Sequence, residues 1–154
     1  MSLSKPALDP LSVSAHNSSS YPEPYRSQVL PREKRPLGDA LGLTRIGINR
    51  TVLPPGKQSS MRHWHTHEDE FVYVLEGEVV LRTAGGEQLL TAGMCAGFPA
   101  DRDDGHQLVN RSTQPAVYLE VSNRDPADCV HYSDAAVDLK VEKGCMMRRD
   151  GTPL

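Results

Sequence analysis

From Leu43 onward, apolar and polar residues alternate in short bursts rather than at helical spacing. The segments 43–53 (LTRIGINRTVL), 59–65 (SSMRHWH), 71–77 (FVYVLEG), 78–84 (EVVLRTA), 87–91 (EQLLT), 106–110 (HQLVN) and 116–122 (AVYLEVS) are rich in Val, Leu, Thr and Tyr. Such residues fit a pleated, half-buried surface and predict strands. Turn residues separate the segments: Pro54-Pro55-Gly56 breaks the chain, and Ala84-Gly85-Gly86-Glu87 reads as a hairpin tip. Many short strands with no long helical pattern predict an all-β fold, an antiparallel sandwich or barrel. Residues 1–25 lack the pattern and are rich in Ser, Pro and Asn, which predicts a disordered or extended arm. Beyond Asp125 the chain runs through VHYSD into a polar tail, and periodicity leaves open how these segments meet the barrel.

A chain of 154 residues is long enough for one sizeable core. One domain over 26–154 is expected, with its barrel at about 40–124. A net charge of -3 and a pI near 6.0 supply no electrostatic reason for nucleic-acid or anionic-membrane partners. The basic cluster Arg32, Lys34, Arg35 is interrupted by Glu33 and reads as a solvated loop. No apolar run approaches the ~20 residues that span a bilayer, and the N-terminus lacks the apolar segment of a secretory signal. Cys95, Cys129 and Cys145 are an odd, widely spaced set that fits reduced thiols and a cytoplasmic location. Cys95, between two glycines in AGMCAGFP, is expected to be a buried thiol.

The run RHWHTHEDEFVYVLEG carries the candidate chemistry. His63 and His65 are two apart, so on a strand both side chains share one face, with Met61 and Ser59, while Arg62 and Trp64 point away. On the following strand Glu70, Val72 and Val74 share a face opposite Phe71, Tyr73 and Leu75. Two imidazoles and a carboxylate on neighbouring strands form a divalent-metal site short of about one ligand, and His106 in DGHQLVN is the candidate for it. His67 competes, because His65-x-His67 alternates equally well. Asp101, Arg102, Asp103 and Asp104 form a polar loop before His106, either an ordinary turn or a rim of substrate contacts.

His63-x-His65, then four residues and Glu70, then six and Gly77, resembles the first motif of the cupin superfamily, G(X)5HXH(X)3,4E(X)6G. Gly56 stands one residue further off than that pattern asks. Gly93, Pro99, His106 and Asn110 resemble the second motif, G(X)5PXG(X)2H(X)3N, with Asp101 in place of its glycine and two extra residues before His106. The resemblance implies a double-stranded β-helix, or jelly-roll barrel, with an extended N-terminal arm. It implies His63, His65, Glu70 and His106 as ligands of one divalent transition metal, and its spacing disfavours His67. It makes Asn110 structural. Small cupins generally pair through their sheets, which implies a homodimer; some of the arm is expected to cross onto a neighbouring subunit.

Metal identity is open among Zn, Fe, Mn, Ni, Co and Cu, since a mixed N/O ligand set suits all of them. Three functions are compatible. One is an enzyme acting on a small polar metabolite, such as a sugar or sugar phosphate, by isomerase, epimerase or lyase chemistry. The others are an Fe(II)-dependent dioxygenase and a non-catalytic metal or small-molecule binding protein. Similar small bacterial cupins are often labelled sugar-phosphate isomerase-like. Against the phosphorylated version, the sequence shows no Gly-rich loop leading into a helix and no basic cluster with an obvious place in the pocket.

Overall fold

The alternating segments form strands in the computed structural model, which describes residues 3–154. In chain order they follow a single 3-10 turn at Pro10–Ser12 and the short helix α1 (Arg26–Val29). They are β1 (Glu33–Pro36), then helix α2 (Leu37–Ala40), β2 (Ile46–Leu53), β3 (His63–His65), β4 (Glu70–Glu76), β5 (Glu78–Thr83) and β6 (Gly86–Thr91). The chain closes with β7 (Cys95–Phe98), β8 (Gln107–Val109), β9 (Ala116–Asn123), β10 (Cys129–Tyr132), β11 (Lys140–Glu142) and β12 (Cys145–Met147). One sheet has the order β1-β2-β9-β4-β7. The second layer joins β12-β11-β10-β3 to β6-β5-β8 through antiparallel bridges between His63 and His106 and between Gln58 and Val109. The expected all-β jelly roll is the fold.

The core lies between the layers, built from Leu53, Val72, Val74, Val79, Leu81, Leu90, Leu108, Ala116 and Tyr118. Leu53 and Val74 are wholly buried, and truncating such a side chain to alanine costs about 2–5 kcal/mol. A second cluster, Tyr21, Val29, Met61, Tyr132, Val137 and Leu139, fastens the N-terminal arm and the C-terminal strands to the barrel. Within the arm His16 bridges to Lys34, and Tyr21 donates no freedom to solvent at 8% exposure. Residues 1 and 2 of the expected arm lie outside the described residues. The open question beyond Asp125 resolves into pairing: β10 joins β3 with Val130 opposite His65 and Tyr132 opposite His63.

β4 divides its faces as alternation requires. Val72 and Val74 enter the core, while Phe71, Tyr73 and Leu75 remain 38–40% exposed on the outer face. Cys95 is a correction: it is exposed rather than buried, because it pairs with Tyr73 and so shares that outer face. Two glycines are required by geometry. Gly77 has φ +72°, and a Cβ there would lie 2.8 Å from the Pro115 carbonyl oxygen. A Cβ on Gly105 would collide with Ser133 and press on the His63 amide, so glycine lets the chain bring His106 against β3. Asp101, standing where the second motif has glycine, takes φ +56°. Aspartate is among the few non-glycine residues that enter this left-handed region readily. The turn is retained, and the Asp101 amide donates to the His65 carbonyl at 2.8 Å.

Candidate metal centre

β3 aims His63 and His65 inward because Trp64 is taken up on the other side, stacked on His131 of β10 at 4.4 Å between ring centroids. β4 delivers Glu70 beside them, and the bridge at His63 brings in His106. Three imidazoles then converge on one carboxylate oxygen. Glu70 Oε2 lies 2.8 Å from His106 Nε2, 3.4 Å from His65 Nε2 and 3.5 Å from His63 Nε2. This oxygen is shut off from solvent and accepts no hydrogen bond of ordinary geometry among the described residues. Ligands at 2.0–2.2 Å from one ion stand about 3 Å apart in neighbouring positions, so these spacings suit a shared cation. The donor atoms of His63, Glu70 and His106 all lie within 4.8 Å of one another. His65 stands beside that trio, facing Glu70 with one ring nitrogen and a second carboxylate with the other.

The outer nitrogens are held in turn. His63 Nδ1 is 2.9 Å from the Met61 carbonyl oxygen, which can only accept, so Nδ1 carries the proton and Nε2 keeps its lone pair. His65 Nδ1 lies 2.6 Å from Asp128 Oδ2. Asp128 is fixed by the backbone N–H groups of His67 (2.8 Å) and Glu68 (3.2 Å). His106 packs flat against Phe98, with ring centroids 3.6 Å apart.

The electrostatics follow this wiring. Burial pushes the His65 imidazolium down, but the adjacent carboxylates of Glu70 and Asp128 outweigh it and raise the pKa to about 9. Burial raises Glu70, yet the three imidazoles crowded against its carboxylate, His106 foremost, hold its carboxyl well below the usual range. For His106 burial prevails and lowers the pKa, despite Glu70. For Asp128 the burial cost is overcome by the His67 amide and His65, and its pKa is lowered.

Other residues fall into place around the centre. His67 is exposed and bonds Thr66, away from the cluster. Asn110, wholly buried, donates to the carbonyls of Leu53 and Gln114 at 2.8 Å and accepts from Ser112, which makes it a turn-holder. Asp104 accepts the Ala84 amide at 2.7 Å, and with Arg102 it borders a cavity of about 560 Å³. His65, Glu70 and His106 line both that cavity and a second one of about 460 Å³ inside the barrel. Tyr118, Glu120, Asn49 and Thr51 all lie on the inner face of the large sheet, through the pairings Thr51–Tyr118–Val74 and Asn49–Glu120–Val72. Arg45 is exposed before β2 begins.

The basic cluster is a second correction. Arg32 is only 8% exposed and, with Lys34, lines the inner cavity rather than a solvated loop. β1 pairs with β2 so that Lys34 lies opposite inward-facing Thr51, while Glu33 lies opposite Val52 and points out. The residues missed by sequence reasoning are thus Asp128, Arg32 and Lys34. The alternation Arg32-Glu33-Lys34 was the available signal for the basic pair, since it separates the acid from both cations; nothing local marks Asp128.

Residues 49–122 match the family model described as a cupin domain. The fold is similar to a crystal structure from Silicibacter pomeroyi described as a sugar phosphate isomerase from the cupin superfamily. That pair is 41% identical, covering 97% of this chain and 96% of the other, with a TM-score of 0.89. A putative sugar phosphate isomerase from Acidithiobacillus ferrooxidans is 30% identical over 80% of each chain, with a TM-score of 0.69. A predicted oxalate decarboxylase from Thermotoga maritima shares the fold at 22% identity, over 76% of this chain and 97% of that one, with a TM-score of 0.63. No curated protein matches the sequence. The near-complete coverage at 41% identity and the paired motifs at the barrel centre agree: the chain belongs to the cupin superfamily.

Proposed function

We propose that the protein is a metal-dependent enzyme acting on a small polar metabolite, such as a sugar or sugar phosphate, by isomerase, epimerase or lyase-type chemistry. His63, His65, Glu70 and His106 hold the ion. The observation that carries this reading is the convergence of three Nε2 atoms on a buried Glu70 oxygen that accepts no hydrogen bond. A bound divalent ion supplies Lewis-acid polarisation of a substrate carbonyl or hydroxyl oxygen. The protein's own groups hold the histidine tautomers, exclude water on the Phe98 side and leave the cluster open to two cavities. The similarity to chains described as sugar phosphate isomerases supports this class over oxygen chemistry at Fe(II) and over non-catalytic binding.

The test is metal content by elemental analysis, followed by NMR of the metal-loaded protein in heavy water with aldose and ketose substrates, free and phosphorylated. Metal-dependent deuterium exchange or isomer interconversion is expected. His65→Ala is expected to lose most of its metal, and His67→Ala to keep it. Full occupancy in His65→Ala would overturn the ligand set. Bound iron with substrate-dependent oxygen uptake would move the protein to the dioxygenase class, and tight binding without turnover to the non-catalytic one.

A further inference from the structure

On the wall of the inner cavity that the histidines also line stands a buried cation with no counter-ion among the described residues. Arg32 precedes β1, and its backbone N–H is taken by Asn17 Oδ1 at 3.1 Å. Its guanidinium donates to the Ser59 carbonyl, while its Nε is buried and has no partner. Among the described residues no carboxylate lies within 4.0 Å of it. Buried charges are ordinarily paired, because an unpaired one forfeits its hydration. Its neighbour Lys34 is already neutralised by Glu120 at 2.6 Å. Tyr118 adds a second unmet donor on the same cavity wall. Its side chain is fully buried and its hydroxyl has no hydrogen-bond partner. An apolar cavity with a few convergent polar groups is the common form of a ligand site, and here both unpartnered groups donate.

We propose that Arg32 and Tyr118 form an anion-recognition wall that takes a phosphate or carboxylate group of the substrate while another of its oxygens faces the His63–Glu70–His106 cluster. The substrate class is a small anionic polyol or hydroxy-carbonyl compound. Arginine suits this role through its planar fork of donors, which matches phosphate and carboxylate oxygens in pairs. Lys34 sets the local field without serving as the contact, since Glu120 holds it. This assignment rests on the reading of the cavity as a substrate site, and it adds the chemistry that selects the substrate.

Three-carbon probes separate the sources of charge: glycerol 3-phosphate, glycerate and uncharged glycerol, titrated calorimetrically into the full chain loaded with Zn²⁺ or Mn²⁺. At least one anionic probe is expected to bind, with glycerol far weaker. Which anion binds tighter distinguishes phosphate from carboxylate recognition. Arg32→Met is expected to weaken anion binding by roughly tenfold or more, and Tyr118→Phe by roughly three- to tenfold. Metal content should be unchanged in both. Tyr118→Phe removes a hydroxyl that makes no hydrogen bond of ordinary geometry among the described residues and whose charged neighbour Glu120 is already held by Lys34, so it stays interpretable even if Arg32→Met fails to fold. Equal binding of glycerol and the anions, or wild-type anion affinity in Tyr118→Phe, would overturn the proposal. If the wild type takes up no metal, the metal-site reading fails, whereas the same titration on the metal-free chain still decides the anion wall.

Discussion

His65 is gripped at both ends: its Nδ1 lies 2.6 Å from Asp128 Oδ2, and its Nε2 lies 3.4 Å from Glu70 Oε2. The two residues are 63 positions apart and meet because β10 is laid antiparallel on β3. A carboxylate behind a ligating histidine fixes its ring and raises its basicity.

Asp128→Asn should therefore lower metal affinity by roughly 10–100-fold while leaving the fold intact. Asparagine preserves an acceptor for the His67 and Glu68 amides but loses the charge. Competition with a chromophoric chelator measures the change. Unaltered affinity would reduce Asp128 to a loop anchor.

The pH dependence has a definite sign. In the metal-free protein, His65 has a pKa of about 9, above its ordinary 6.5. The stability it contributes is full below pH 6.5 and is lost as pH rises through about 9. Glu70, depressed below its ordinary 4.5, contributes stability that is present above pH 4.5 and lost as pH falls through its folded value. His106, depressed below 6.5, works in the opposite sense to His65 and loses its contribution as pH falls, so the metal-free form should be steadiest near pH 6.5, weakening towards pH 9 and again in acid. A metal must displace the His65 proton, so metal affinity should climb over pH 6.5–9 and metal should be released in acid. Melting temperatures of both forms across this range check the sign. A pH-independent gap between them would contradict it.

Chelation should lower the melting temperature without erasing the β-type circular dichroism spectrum. A ligand that binds only the native state stabilises it by mass action. The apolar cluster around Leu53, Val74 and Tyr118 does not include the proposed ligands and should remain when metal is removed. A random-coil spectrum on chelation would show that the metal, not the core, holds the barrel.

We propose a homodimer formed through the outer face of the large sheet, where Phe71, Tyr73 and Leu75 stand exposed beside Leu119 and Val121. Closed twofold pairing is the commonest form of self-association. Light scattering should give about twice the 16.9 kDa chain mass at micromolar concentration. Tyr73→Glu should reduce it to the single-chain value, and a monomeric wild type would refute the dimer. Deleting residues 1–25 will weaken the dimer only if the arm crosses the interface.

What the sequence determined by itself is what repeats locally. Alternation at period two placed His63 with His65 and Glu70 with Val72 and Val74, since successive side chains on a strand must point to opposite faces. Resemblance to the second motif singled out His106, and it marked Asp101 as a departure whose left-handed backbone only the structure revealed. The tertiary structure alone decided which face of each strand is covered. Cys95 is exposed because its partner is Tyr73, and Lys34 turns inward because β1 pairs with β2 in one register. A slip of one residue there would send Lys34 to solvent and Glu33 inside. Asp128 belongs to the site only through a pairing between strands distant in the chain, which no local pattern encodes.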